Sequence, residues 1–399
     1  MASKPEFGPS SELPPLAAND EAIRCVVMRG GTSRGLFFHE QDLPSDPDHR
    51  DRVIMGAVGA PDPRHVDGLG GGDMLLSKVA IVTRSAQPDA DVECEFANIT
   101  PGKDRPTWGT NCGNLVAAVA LFAVEEDLIS GKGDAPVVRI RNRNSDSLIE
   151  ARFSVLDSER QEAYRLAGMP DTGTCVDLDF LNPVGSYQSL LLPSGNVRET
   201  IQFGDGRSVD ISVVDAGALY VFVKASDLGL TGTETSEQLQ NEPGASDLLE
   251  HLRAEAARMT GLVESTADAA LVSPDVPKLA FVGAAVSYDC DASSTRIASD
   301  SIDVVSRIIS SQKYHKAYAV TGAIATAAAA SIEGSVVHEA VGKSTSSGLQ
   351  EVRIGHPSGV LACEVESNKS AGTHEIALAR IKRTARRVSQ GTVFVPSLA

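Results

Sequence analysis

Two side chains in this sequence have the type and the local setting to move protons: the amine of Lys78 and the thiol of Cys112. Lys78 stands in the strand-like run Ser77-Lys78-Val79-Ala80-Ile81-Val82, after the glycine stretch Gly68-Leu69-Gly70-Gly71-Gly72. A lysine among apolar residues either snorkels along an exposed face or occupies a cleft. In a cleft its pKa falls, and the amine becomes a usable general base or acid. Cys112 sits in Thr110-Asn111-Cys112-Gly113-Asn114, directly ahead of an apolar run. In the first turn of a helix the dipole favours the thiolate; on an apolar helix a lone cysteine is otherwise inert core. That turn also offers free N–H groups and a positive dipole end, which together bind anions. Gly113 lets a ligand approach the backbone closely. Thr321-Gly322-Ala323 opens a second apolar helix in the same way. Two such tips facing each other would hold a ligand with two or more carboxylates. The alternative is that these glycines only relieve crowding around buried helices.

Further donors surround these candidates. Arg29-Gly30-Gly31-Thr32-Ser33-Arg34-Gly35 is a glycine-rich turn whose Ser33 hydroxyl, N–H groups and cations Arg29 and Arg34 suit a carboxylate. It has neither the Walker spacing nor the dinucleotide-binding fingerprint. Asn142, Asn144 and Ser145 after one strand, and His356-Pro357-Ser358-Gly359 after another, offer similar donors through Asn144, His356 and Ser358. A lone histidine such as His356 is more often structural than catalytic. The histidines form no H-E-x-x-H pair, the cysteines do not cluster, and no G-x-S-x-G elbow occurs, so no metal or serine-nucleophile site is expected. The residues point to cofactor-independent proton transfer on a small polycarboxylate.

The elements that must position these groups are mostly short strands: Ile23–Met28, Leu36–Phe38, Lys78–Thr83, Val137–Ile140, Ile211–Val214, Leu219–Val223, Leu279–Val282 and Val352–Ile354. Two helices, Gly113–Leu128 and Gly322–Ser331, are apolar all round and must be surrounded by protein. The unit is written twice. Leu36-Phe37-Phe38 with Asp42-Leu43 matches Val221-Phe222-Val223 with Asp227-Leu228, an offset of 185 (221 − 36). Lys78 to Val82 matches Lys278 to Val282 at 200, Asn111-Cys112-Gly113 matches Val320-Thr321-Gly322 at 209, and Val138-Arg139-Ile140 matches Val352-Arg353-Ile354 at 214. Four matches in one order with growing offsets indicate a duplication. The expected fold is α+β, with two pseudo-symmetric domains, each an antiparallel, barrel-like sheet around a central apolar helix. A ligand cleft lies at their junction. Boundaries are expected as a flexible tail or expression remnant over 1–20, a first domain over 21–185, a second over 186–385, and a segment 386–399 pairing back to the first. Lys278 duplicates Lys78, and only one of them need be catalytic. Thr321 duplicates Cys112, which argues against a racemase with two opposed thiols.

Composition narrows the class. The chain has 399 residues with 36 Lys+Arg against 53 Asp+Glu, a formal charge of −17, which disfavours nucleic-acid and anionic-membrane partners. With 42 % hydrophobic and 22 % charged residues it is globular rather than disordered. Its longest apolar run, Leu115 to Val124, is about half a bilayer span. Six scattered cysteines without a C-x-x-C pair suit a reducing, cytoplasmic setting. A homo-oligomer is left open.

MRGGTSRG (28–35), DGLGGG (67–72) with SKVAIV (77–82), TNCGNL (110–115), LLPSGN (191–196), PKLAFV (277–282), HKAYAVTGA (315–323), GHPSG (355–359) and RTARR (383–387) together resemble the PrpF family over about residues 24 to 396. That family includes 2-methylaconitate cis-trans isomerase, methylitaconate and aconitate Δ-isomerases, and 4-oxalomesaconate tautomerase. The resemblance implies the diaminopimelate epimerase fold, proton transfer by Lys78 and Cys112, and substrate carboxylates held by Ser33 and the helix-start backbone. Asn111, Gly113, Asn114, Lys278, Thr321 and Gly322 complete the expected binding set. The chain departs from the family at Leu76, at Asp215-Ala216-Gly217-Ala218-Leu219, and over 183–189. Those positions are expected to line the far end of the substrate. The alternatives are a non-catalytic accessory to an Fe–S dehydratase and a two-base amino-acid racemase or epimerase.

Overall fold

The computed structural model describes residues 20–108, 112–129, 133–154, 164–170, 173–187, 189–204, 206–291, 295–310, 313–342, 348–370 and 373–396. The expected tail lies outside the described residues apart from Asp20, and so does Asn111. The first half carries β1 (Asp20–Gly30), β2 (Ser33–His39), helix α1 (Pro47–Val58), β3 (Lys78–Arg84) and β4 (Val92–Asn98). Helix α2 (Gly113–Glu125), β5 (Val137–Asn142), β6 (Ser147–Phe153) and β7 (Thr174–Leu181) complete it. The second half runs β8 (Glu199–Gln202), β9 (Ser208–Ala216), β10 (Ala218–Lys224), α3 (Ala245–Met259) and β11 (Lys278–Ala284). Next come the small pair β12 (Tyr288–Asp289) and β13 (Arg296–Ile297), then β14 (Val304–Ser310), β15 (Lys313–Tyr314) and α4 (Val320–Ser331). The chain closes with β16 (Gly348–His356), β17 (Gly359–Ser370) and the long β18 (Thr373–Pro396).

The duplication is visible in the pairing register. Leu36 of β2 lies beside Val79 of β3, and Val221 of β10 lies beside Leu279 of β11, both pairs parallel. Val92 pairs with Ile140 and Val304 with Ile354, again both parallel. The partners in these pairs are therefore matched residues of the two halves. These parallel pairs stand among the expected antiparallel ones. A parallel neighbour needs a crossover, and each half spends two helices on this. In the first half α1 links β2 to β3 and α2 links β4 to β5; in the second, α3 links β10 to β11 and α4 links β14 to β16. In each half one crossover helix lies outside the sheet and the other within.

Helices α2 and α4 are the inner ones. GNLVAAVALFAVE and VTGAIATAAAAS present small or apolar residues on every side, and α4 is buried from end to end. Small residues allow the strands to close in. A Cβ on Gly30 of β1 would lie 2.5 Å from the Asn114 carbonyl oxygen, so strand backbone packs directly on helix backbone. The outer helix α1 rests on the opposite face of β1, β2 and β3 through Val53, Ile54 and Val58, and α3 does the same for the second half through Leu249 and Leu252. The ring around α2 is closed by β18, which pairs antiparallel with both β1 and β7. Among the described residues no helix is long and apolar enough to cross a membrane.

α2 is capped at its C-terminus by Glu126, whose buried carboxylate accepts from Arg24 at 2.6 Å and Arg387 at 2.8 Å, with His39 Nε2 at 3.0 Å. Burial alone would raise this carboxyl, but the bonds to His39, Arg387 and Arg24 outweigh it and hold it at about 2. A carboxyl depressed in the folded state stabilises the fold above its unfolded pKa of about 4.3, and that contribution is lost as pH falls toward 2. By linkage the contribution is on the order of 3 kcal/mol. Glu126→Gln should lower the urea unfolding free energy at pH 7 by an amount of this order and flatten its decline between about pH 5 and pH 3. An unchanged slope would show that Glu126 does not carry the acid sensitivity.

Candidate active site

The tips of α2 and α4 meet at the centre of the molecule. A Cβ on Gly113 would stand 2.6 Å from Cβ of Val320, so the close approach depends on glycine at that position. Beside this junction lies a cavity of about 300 Å³ lined by both halves. From the candidates it gathers Ser33, Lys78, Cys112, Gly113, Asn114, Lys278 and Thr321.

Lys78 opens β3, in register with Gly35 on one side and Asn98 on the other. It is 9 % exposed, and its Nζ donates to Asn98 Oδ1 at 2.7 Å. The strand thus presents a buried amine whose orientation is set by an amide on the neighbouring strand. Cys112 is the N-cap of α2 and 6 % exposed; its carbonyl accepts from Leu115 N at 3.0 Å, leaving the thiol directed by the helix start rather than by a cap bond. Ser33 Oγ is buried and has no partner, an unmet donor on the cavity wall. Asn114 is braced by Thr32 Oγ1, to which its Nδ2 donates at 3.2 Å, and by Arg383 Nε, from which its Oδ1 accepts at 3.1 Å.

The second half supplies the mirror image. Lys278 opens β11 in register with Tyr220, as Lys78 does with Gly35, and its Nζ lies 5.9 Å from the Tyr220 ring centroid. Burial lowers the Lys278 pKa, with Cys112 and Asp275 pulling it back up. Its ammonium is thus less favoured than in water. The mouth is crossed by a bridge between the halves, Lys316 Nζ to Asp73 at 3.4 Å. Lysines 78, 278, 313 and 316 line the cavity against Asp73 and Asp275, four cations to two anions, in a chain of charge −17.

The remaining described candidates do not line this cavity. Arg29 Nη1 donates to the Thr384 hydroxyl at 2.7 Å and to the Gly31 carbonyl at 3.1 Å, tying the β1–β2 turn to β18. Arg34 Nη2 points to the Leu69 carbonyl at 3.4 Å. Asn144 is spent on both backbone groups of Phe96. His356 is buried and held neutral by burial and by Arg383 and Arg307, with Nδ1 accepting from Ser358 N at 3.2 Å. Ser358 Oγ donates to the Lys316 carbonyl at 2.5 Å and so braces the cavity rim from behind. Gly322 packs under Tyr220 and Ile308. α4 starts at Val320, two residues ahead of Gly322, which leaves Thr321 rather than the glycine at the cavity. The departures also sit apart: Leu76 is on the surface, while Pro183, Val184, Ser186, Ser189 and Gly217 line a second cavity that shares Gly113 and Thr321 with the first. Sequence reasoning missed Asn98, Tyr220, Asp275 and Lys313, and it gave no role to His315 and Lys316 although both stand in the HKAYAVTGA motif. Asn98 was findable as the cross-strand neighbour of a strand lysine.

The fold is a duplicated α+β unit, and residues of both halves line one lysine-rich cavity. The chain matches the PrpF protein family over residues 21–396 and belongs to that family. A 3-methylitaconate isomerase of Eubacterium barkeri is 36 % identical over 376 residues, covering 94 % of this chain and 97 % of that protein. A 2-methyl-aconitate isomerase of Shewanella oneidensis is 33 % identical over 390 residues, covering 94 % and 97 %. The crystal structure of a methylitaconate-delta-isomerase superposes with a TM-score of 0.77 at 35 % identity, covering 95 % of this chain and 97 % of that one. The protein is an isomerase with the expected pseudo-symmetric α+β fold.

Proposed function

We propose that this isomerase acts on an unsaturated di- or tricarboxylic acid of the aconitate or methylaconitate type, by proton abstraction and return at an allylic carbon. The observation that carries this is the excess of lysines lining one cavity of a strongly acidic chain, beside two helix tips and the unmet Ser33 hydroxyl. Such a chamber attracts a small polyanion and rejects neutral or cationic ligands. Lys78, acting as a neutral amine, takes a proton from a carbon that is allylic to a C=C and activated by carboxylates. The electron pair delocalises through the allyl system into a carboxylate to give a dienolate. The α2 tip, Ser33 and the lysine charges stabilise the growing negative charge, as preorganised donors do. Lys78 or Cys112 then delivers a proton to the same carbon or to the other allylic end. Rotation between the two steps gives cis–trans isomerisation; without rotation the double bond shifts. We read the lobes as 21–185 and 186–385, with the chamber between them.

The test is a panel of cis-aconitate, 2-methylaconitate, methylitaconate and oxalomesaconate followed by NMR in D₂O. One acid should be isomerised with deuterium entering at the allylic carbon. Silence on all four, with exchange into the α-position of free amino acids instead, would replace this reading with the racemase one.

A further inference from the structure

We infer that His315 is a further catalytic residue: a neutral imidazole that donates its Nε2–H to the oxyanion end of the dienolate. This rests on the reaction proposed above. The ring lines the cavity, half-buried, on the loop that leads into α4. Its Nδ1 accepts the backbone N–H of Ala317 at 3.2 Å. A nitrogen that accepts a hydrogen bond carries no proton, so the proton of the neutral ring is on Nε2, the atom left free for a ligand. The loop is fixed from behind, because Ser358 donates to the carbonyl of Lys316 next to it.

The surroundings set the charge state. Burial pushes the His315 pKa down to about 4; the hydrogen bond with the Ala317 backbone opposes it, the charges of Lys278 and Lys78 add to it, and Asp73 at the mouth opposes it weakly. At neutral pH the ring is therefore an uncharged donor placed among the cavity lysines. An uncharged donor strengthens its bond as the carboxylate gains electron density and does not compete with Lys78 or Cys112 as the proton source. Lys313 and Lys316 bind the ground-state carboxylates with charge, whereas His315 serves the charge that develops in the transition state, and only the latter kind of contact raises kcat.

Two independent readouts test this. In protein labelled with ¹⁵N-histidine, with the resonance assigned by its loss in His315→Gln, the ring should show the Nε2–H tautomer and no titration between about pH 5 and pH 8. A midpoint above about pH 6, or the Nδ1–H tautomer, overturns the inference. On the acid that the wild type converts, His315→Leu should lose kcat by about 10²-fold with KM within about threefold, and His315→Gln, which retains an N–H, should recover at least about tenfold. A folded His315→Leu variant within about threefold of wild-type kcat, or a folded His315→Gln variant no better than it, also overturns it. If the wild type is silent on the whole panel, the substrate reading fails, while the nitrogen spectra still decide the fate of His315. Added tricarballylate, a saturated tricarboxylate, must then move the Nε2 resonance, and an unmoved resonance refutes donation.

Discussion

Lys78→Ala should lower kcat by on the order of 10³-fold while leaving the far-UV circular dichroism spectrum of the wild type intact, because a positioned general base typically supplies 10²–10⁴ in rate. The two halves of this expectation have separate physical origins. The loss of rate follows from removing the amine that stands in the chamber. Retention of the fold follows because the β3 ladder is made by backbone groups shared with Gly35 and Asn98, which the substitution leaves in place. The cost to stability includes loss of the bond from Lys78 Nζ to the Asn98 side-chain Oδ1 at 2.7 Å, on the order of 1 kcal/mol. Lys78→Met keeps most of the packing and should be equally inactive. Wash-in of deuterium from D₂O should stop along with turnover in both variants. A variant that still exchanges the allylic proton at a near-normal rate would assign the base to Lys278 or Cys112 instead.

The second large effect is expected from the smallest side chain at the centre. Glycine at the first position of a helix ordinarily loses to alanine by up to about 1 kcal/mol, so propensity predicts that Gly113 substitutions stabilise. Packing predicts the opposite. A Cβ at 113 would lie 2.6 Å from both Cβ and Cγ1 of Val320, a β-branched residue of a fully buried helix that has no rotamer to retreat into. Overpacking of this kind costs about 1–3 kcal/mol, which outweighs the propensity gain. For Gly113→Val we expect a net loss of about 2 kcal/mol in urea unfolding and a fall in kcat of about 10²-fold. The kinetic loss arises because prying the tips apart moves Cys112 and Thr321 together with the helices that carry them. Val320→Ala should restore much of both losses in the double variant, and the coupling energy of that cycle measures the contact directly. Additive effects would mean that the two helix tips do not bear on each other.

Much of this was legible in the chain itself because strand pairing preserves register. The matched runs 36–38 with 221–223 and 78–82 with 278–282 are hydrogen-bonded neighbours within each half, so comparing the halves amounted to reading part of the sheet. Lys78 and Cys112 were visible because an amine in an apolar strand and a thiol at a helix start are locally unusual. The outer helices α1 and α3 and the parallel pairs they enforce were overlooked, since their amphipathic patterns are weaker than the all-apolar signature of the inner helices. The cations of the β1–β2 turn do not line the cavity. Arg29 and Arg34 flank a glycine turn that looks like an anion cradle, yet their guanidinium groups hold carbonyls of Thr384, Gly31 and Leu69. The lysines at the chamber instead include Lys313 and Lys316, brought there by a loop more than two hundred residues distant from Lys78. The HKAYAVTGA motif marks part of that segment, but only the closure of the two halves brings it beside Lys78.

β18 gives the molecule an unusual order of assembly. The strand that closes the ring around α2 lies far along the sequence from β1, and it also borders β17 of the other half. Neither β1 nor β7 can pair on that side until residues 373–396 are in place, so the first ring cannot close without a segment that is hydrogen-bonded to the second half. Completion of one lobe and the joining of the two are therefore the same structural event.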